Sequence, residues 1–258
     1  MIPHFFRIRP LPETLLAQIR ASDRQACSIP VLLDFSALKT CADLKTMDME
    51  KWLSAEEKDR FLEFKLQKRQ IEWLAGRIGA KIAVRDYFRT HFRDQKMPAD
   101  NEIVIANSAG GRPFIARIGK EVWRQAPDIS ISHSGDLSLA LAAATCCGVD
   151  VQRAVDTLTR VKERFCATHE ERLLAGVQES RPLIPLALLW AAKEAAKKAL
   201  SILAMPGFSE LVLTGIDRTC SQVPVFIFTR HRHQTGPPEK IRVATACHQT
   251  SAIGICIP

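Results

Sequence analysis

No window of this sequence approaches the roughly 18 continuous apolar residues that a membrane span requires. Its start, MIPHFFRIRPLPE, has basic residues but no apolar signal core before the first acid. These two shortages argue against a membrane protein and make the cytoplasm the expected compartment. The eight cysteines contain no CxxC pair, and Cys146 and Cys147 are adjacent. They read as reduced thiols rather than as a disulfide framework. His231, His233 and His248 lack a matching ligand pair at zinc spacing, which argues against a metal site built on them. There is one tyrosine, and the phenylalanines read as core, so the aromatic-plus-basic pattern that stacks single-stranded nucleic acid is missing. The G-x-S-x-G elbow of a hydrolase is absent as well.

What is present is a chain of 258 residues, 47% hydrophobic and 25% charged, enough for one large or two smaller domains with a sizeable core. The formal charge of +8 points to an anionic partner: nucleic acid, a phosphate-rich ligand, an anionic membrane or an acidic protein. Charge alone does not choose among them. A non-catalytic basic module binding nucleic acid or another polyanion therefore stands as the rival to an enzyme.

Residues 29–36 (IPVLLDFS) read as a strand, followed by a polar connector through Cys41 and Lys45. Ser54 stands three before Glu57, the capping-box spacing, so a long helix is expected from there. Its second part, Ile71, Leu74, Ile78 and Ile82, keeps the rhythm of a buried face. On another face Arg77, Lys81, Arg85, Arg89 and Arg93 recur every four residues. Like charges at that spacing repel by a few tenths of a kcal/mol per pair, so most of this stripe is expected to be a solvated face. Residues 102–106 alternate like a strand, and 107–113 (NSAGGRP) form a glycine loop. The boundary is expected within 123–128, dividing the chain into halves 1–125 and 126–258. Three strand-like pieces follow at 129–133, 137–146 and 148–151. Thr168, with Glu171 three on, is expected to cap a helix, and a second helix is expected over 186–204. The tail is β-rich at 211–216, 223–228, 241–246 and 252–257. The class is α+β.

Chemistry gathers at the ends of ISISHSGDLSLALAAATCCGVDVQR, residues 129–153. A strand through Gly148-Val149-Asp150-Val151-Gln152 sends Asp150 and Gln152 to one side. Farther on, Glu194 and Lys198 are one helical turn apart, with Trp190 a turn earlier. Magnesium prefers oxygen ligands, commonly one or two carboxylates completed by water and phosphate, and Asp150 and Glu194 would serve. His133, between Ser132 and Ser134, suits a phosphate oxygen; it also reads as a satisfied structural histidine. A Glu-to-Lys pair at this spacing is equally a common helix-stabilising device. Proton transfer between His133 and a flanking serine is disfavoured, because adjacent strand residues point apart.

The ordered set Gly111-Arg112-Pro113, Ser132-His133-Ser134, Gly148-Val149-Asp150-Val151 and Trp190-x-x-Lys193-Glu194-Ala195-x-x-Lys198 resembles the 4'-phosphopantetheinyl transferase superfamily, best its single-chain, surfactin-synthetase-activating (Sfp-type) branch. Leu53-Ser54-x-x-Glu57-x-x-Arg60-Phe61, Ala75-Gly76-Arg77-x-x-x-Lys81 and Phe165-x-x-x-His169-Glu170 resemble that branch too. The resemblance runs from about Leu53 to Lys198 and implies two similar α/β halves related by a pseudo-twofold, with the active site between them. It implies transfer of the phosphopantetheine arm of coenzyme A to a serine of an acyl or peptidyl carrier protein, with Mg2+ and release of adenosine 3',5'-bisphosphate. Asp150 and Glu194 are then implied metal ligands, and Glu194 the base for the carrier serine. His133, with Ser132, would meet the pyrophosphate, and Lys198 would neutralise its charge. Arg112 would contact the nucleotide, Lys68 and Arg77 would lie around the 3'-phosphate, and Lys193 would join the cofactor-binding group. Gln152 departs from the pattern: many members have an acid there, so it is expected to bind magnesium weakly or to orient a metal-bound water. By the same resemblance the protein is expected to be a monomer with no nucleic-acid or membrane partner.

Overall fold

The computed structural model describes residues 3–23, 28–38, 44, 47–92, 96–119, 126–177, 181–201, 205–219, 223–230 and 238–258. Cys41, Lys45, Arg93, His231 and His233 lie outside the described residues. The chain divides into two compact units, Met1–Pro10 with Cys27–Thr145, and Leu11–Ala26 with Cys146–Pro258. The division expected at 125/126 therefore falls about twenty residues later. The reason is a hairpin: both strands between Asp128 and Ala143 pair inside the first unit's sheet.

β1 (Arg7–Arg9) begins the first unit, and α1 (Glu13–Ser22) belongs to the second. The first unit continues with β2 (Ile29–Asp34), α2 (Met49–Trp52), α3 (Ala55–Leu62) and α4 (Gln67–His91). It closes with β3 (Ile103–Asn107), β4 (Pro113–Ile118), β5 (Asp128–Ser134) and β6 (Leu137–Ala143). The capping box at Ser54 forms: Ser54 Oγ accepts the Glu57 N–H at 3.3 Å, and Glu57 Oε2 accepts the Ser54 N–H at 3.1 Å. The long helix expected from there is two helices. Leu66 is extended at the start of α4, and the Gln70 amide donates to the Phe64 carbonyl left by the break.

The first unit's four-stranded sheet runs β1-β2-β6-β5, antiparallel throughout, with β3-β4 as a separate ribbon. α4 lies on β6, β2 and β5, burying Ile71, Leu74, Ile78 and Ile82. Most of the described basic stripe on α4 is not a solvated face, Arg89 being exposed. Arg77 and Lys81 are buried, Arg85 makes a two-pronged contact with Asp100 at 3.0 Å, and Arg89 pairs with Asp86 at 2.9 Å.

The second unit runs β7 (Gly148–Arg153), α5 (Thr157–Arg160), α6 (Thr168–Leu174), α7 (Ile184–Leu200), β8 (Leu211–Asp217), β9 (Val225–Arg230), β10 (Glu239–His248) and β11 (Ser251–Cys256). Its antiparallel sheet is β7-β11-β10-β9-β8. α1 packs on β10, with Leu15 and Ile19 buried. α6 is capped one residue earlier than expected, where Glu170 Oε2 accepts the Ala167 N–H at 2.8 Å. α7 begins with proline in its first turn, where no intrahelical N–H is needed. Of the helix expected over 186–204, the last three residues lie outside the described ones.

Both units share a frame. In the first, β2 pairs with β6, β6 with β5, and β3 with β4; in the second, β7 pairs with β11, β11 with β10, and β8 with β9. In each, a capped helix and then a long helix follow the first strand. The class is α+β, as expected. No helix among the described residues is long and apolar enough to cross a membrane.

Candidate active site

In the second unit, β7 carries Asp150 opposite Gly254 of β11, and the carboxylate is buried. Lys198 reaches from α7 to donate to Asp150 Oδ1 at 2.8 Å and to the Val149 carbonyl at 2.9 Å. Glu194, one turn before Lys198, accepts instead from Lys197 at 2.7 Å. The i, i+4 pair read from the sequence is thus replaced: Lys198 serves β7 and Lys197 serves Glu194. Gln152 is partly exposed, and its amide nitrogen donates to the Arg153 carbonyl at 2.8 Å. Beside Glu194, Trp190 meets Phe165 edge-on at 4.9 Å and Phe208 at 5.2 Å, and the Lys197 ammonium lies 4.0 Å from the centre of the Phe208 ring.

The Lys193 ammonium, 3% exposed, stands 2.8 Å from Glu170 Oε1 and 2.9 Å from Oε2, where it helps hold the unit together. Burial pushes the ammonium below its ordinary pKa while Glu170 opposes the shift. Glu170 also takes the N–H groups of Ala167 and Leu213, so one carboxylate ties α6, α7 and β8 together.

In the first unit His133 ends β5 with Nδ1 3.9 Å from Glu72 Oε2, and Ser132 beside it is buried. Glu72 also faces Arg69 at 3.2 Å and the exposed Lys68 at 3.8 Å. A cavity of about 240 Å³ is lined by Arg69, Glu72, Trp73, Arg77, Asn107 and His133, among others. Arg77 donates to Asn107 Oδ1 at 2.5 Å and lies over the Trp73 ring at 4.8 Å. Its Nε, 4.0 Å from Glu57, makes no hydrogen bond. Desolvation pulls the Arg77 pKa to about 10, with Glu57 opposing. Arg112 follows Gly111, whose φ of +82° a side chain would resist, and ion-pairs with Asp128. Arg77 and His133 therefore share one cavity with Glu72, and Asp150 and Lys198 touch. Arg112 is ion-paired with Asp128.

The first unit repeats the buried lysine knot. Lys81 donates to Glu57 at 2.5 Å, to the Trp52 carbonyl at 2.6 Å and to the Asp100 carbonyl at 3.0 Å. Glu57 caps α3 and takes the Ile105 N–H of β3, as Glu170 caps α6 and takes the Leu213 N–H of β8. Lys81 and Lys193 thus correspond, which aligns Ile82 with Glu194, Arg85 with Lys197 and Asp86 with Lys198. The strands align by register. Counting from the turns that join β5 to β6 and β10 to β11, Ala140 matches Gly254, so Val31 of β2 takes the place of Asp150 and Leu33 that of Gln152. The frame is shared, but the acids occur on the second copy alone.

The donor set suits a divalent oxygen-seeking cation. Asp150 and Glu194 supply two carboxylates, each balanced by a lysine, and Gln152 supplies an amide oxygen. Among the described residues no group of three or more His, Cys, Asp or Glu is placed to hold a metal, so protein ligands would cover part of an octahedron and leave the rest to water and phosphate. Sequence reasoning missed Glu72, Lys197 and the knot role of Glu170. Alanine at 167 offers no capping side chain to flag Glu170, and Lys197 carried no signal.

Residues 146–247 match the family model described as the 4'-phosphopantetheinyl transferase superfamily. Over 146 residues the chain is 31% identical to "Enterobactin synthase component D" of Escherichia coli O157:H7 and of Shigella flexneri, and 30% identical to that of E. coli strain K12. These matches cover 55% of this chain and 60% of the relatives' own length.

Proposed function

We propose, from the match of residues 146–247 to the 4'-phosphopantetheinyl transferase superfamily model, that the protein moves the phosphopantetheine arm of coenzyme A onto a serine of an acyl or peptidyl carrier protein. The observation that carries this reading is the Asp150–Lys198 contact with Glu194 one turn away, inside the matched segment. Phosphoryl transfer asks mainly for positioning and charge neutralisation, and a carboxylate pair with lysines supplies both. The relatives named as components of enterobactin synthase support a biosynthetic synthase as the setting.

In the reaction, the serine oxygen bonds to the pyrophosphate phosphorus that bears the pantetheine arm. The bond from that phosphorus to the bridging oxygen breaks, and adenosine 3',5'-bisphosphate leaves. Glu194 takes the serine proton, directly or through a water, because a protonated hydroxyl is a poor nucleophile. Asp150 and Glu194 would hold a magnesium ion, with Gln152 offering its amide oxygen or orienting a water. When bound, that ion supplies charge neutralisation on the pyrophosphate. Lys198 follows the charge onto the leaving phosphate, and His133 with Ser132 holds a pyrophosphate oxygen. Arg77, Lys68 and Arg112 balance the remaining phosphate and nucleotide. Lys193 keeps α7 seated so that Glu194 and Lys198 stay aimed. We take the chain as a cytoplasmic monomer of the Sfp-type branch. Carrier proteins are generally acidic, and the +8 charge favours their docking.

Incubation with coenzyme A, Mg2+ and apo carrier proteins, followed by intact mass of the carrier, tests the reading. A phosphopantetheine mass gain is expected with wild type and is lost in Asp150→Asn and Glu194→Gln. No gain on any of several carriers, together with salt-sensitive binding to nucleic acid, would favour the polyanion-binding rival. Gln152→Glu is expected to lower the magnesium concentration needed; an unchanged requirement removes Gln152 from the metal set.

A further inference from the structure

Lys197 occupies a spacer position in W-x-x-K-E-A-x-x-K, and the reaction chemistry gives it no task. It is nevertheless held from two sides. Its ammonium stands 2.7 Å from Glu194 Oε1 and 4.0 Å from the centre of the Phe208 ring, with both ionic side chains under a fifth exposed. The ring is itself braced: Phe208 packs against Trp190 at 5.2 Å and Phe165 at 6.0 Å. The matching position in the first unit, Arg85, pairs with Asp100 off its own helix, and the matching acid is Ile82. At this aligned pair of positions the cation-on-acid contact is made in the second unit and not in the first.

We propose that Lys197 is a positioning residue acting as the resident counter-ion of Glu194: it neutralises the carboxylate until a divalent cation arrives, then releases it and stays held on the face of Phe208. This rests on the metal reading of Glu194 given above. An ammonium hydrogen-bonded to one carboxylate oxygen competes with a metal for that group and repels an incoming dication, so one of them must yield. The lysine stem is flexible, and an aromatic face accepts the displaced charge. Glu194 is thereby kept charged and aimed before the metal binds, at the cost of some metal affinity. Asp150 is kept in the same way by Lys198, whose ammonium is later used on the pyrophosphate.

Binding of Mn2+ to the full chain without coenzyme A, read as free Mn2+ by electron paramagnetic resonance, tests this. Lys197→Met keeps the stem and is expected to tighten Mn2+ binding up to about fivefold, the upper end for a single ion pair. Phe208→Leu leaves the net charge unchanged and removes the face that receives the ammonium, so it is expected to weaken binding about threefold. The opposite signs separate displacement from a general effect of net charge. Unchanged or weaker binding in Lys197→Met, or tighter binding in Phe208→Leu, overturns the proposal. Lys197→Gln guards against misfolding of the methionine variant and should move the same way. If wild type binds Mn2+ and modifies a carrier while Lys197→Met binds as wild type does, this inference fails alone. If wild type takes up no Mn2+, the metal reading fails with it.

Discussion

In the first unit the glycines that let helix meet sheet sit on the helix, at Gly76 and Gly79 of α4; in the second they sit on the strands, at Gly148 of β7 and Gly254 of β11. A Cβ on Gly79 would meet Ala140 at 3.5 Å, an ordinary contact, and one on Gly76 would meet Ile131 at 3.0 Å. A Cβ on Gly148 would stand 1.9 Å from the Ala195 carbonyl oxygen, and one on Gly254 2.6 Å from that of Ala191. The second arrangement is tighter, and it falls beside Asp150 and Glu194. Bare strand backbone against an alanine-lined α7 brings the two acid-bearing elements close. The first unit, with Val31 and Ile82 at the matching positions, needs no such approach.

The sharpest test of the shared frame is the pair of lysine knots. Glu57→Ala and Glu170→Ala each leave a buried ammonium without its carboxylate, and each is expected to cost about 3–5 kcal/mol. Hydrogen exchange in urea, resolved to each unit, should show the loss in the first unit for one variant and in the second for the other. A large loss in one alone would break the comparison. The glycines come next. Gly148→Ala should cost about 3 kcal/mol through forced separation of α7 from β7 and should lower transfer activity, whereas Gly79→Ala should be neutral or stabilise by up to about 1 kcal/mol through helix propensity. Denaturation midpoints with carrier modification rates check both.

The last effect concerns alkaline pH. All five described cysteines lie in the second unit, and none is in a disulfide. Burial, aided by Glu239, pushes the Cys256 thiol up to about 12 from its ordinary 9.0. Because the folded pKa is raised, the contribution is complete below pH 9 and is lost as pH climbs toward 12, by up to about 1.4 kcal/mol per pH unit. Urea unfolding at pH 8, 9.5 and 10.5 should show this slope in wild type and not in Cys256→Ala. An equal slope in both assigns the weakening to other groups.

Much of the frame was legible in the sequence, because strand alternation and the Ser54–Glu57 spacing are local. The strands at 29–34, 103–107, 128–134 and 148–153 fell within a residue or two of expectation. What stayed hidden was long-range. The stripe on α4 looked solvated because its acids, Glu57 and Asp100, are 24 and 15 residues away from the cations they meet. Lys193 was read by the company it keeps in the motif, yet its partner is 23 residues upstream. The boundary misread had the same origin: a strand-like segment at 128–134 does not announce which sheet receives it.

One further consequence follows from α1, residues 13–22, packing on β10, residues 239–248. During synthesis the helix leaves the ribosome while its binding site lies roughly 220 residues ahead, which at about 5–20 residues per second is about 10–45 s. Its apolar face, Leu15 and Ile19, must wait through the making of Cys27–Thr145, the larger part of the first unit. A vulnerable interval in the cell is therefore the wait of α1 for β10.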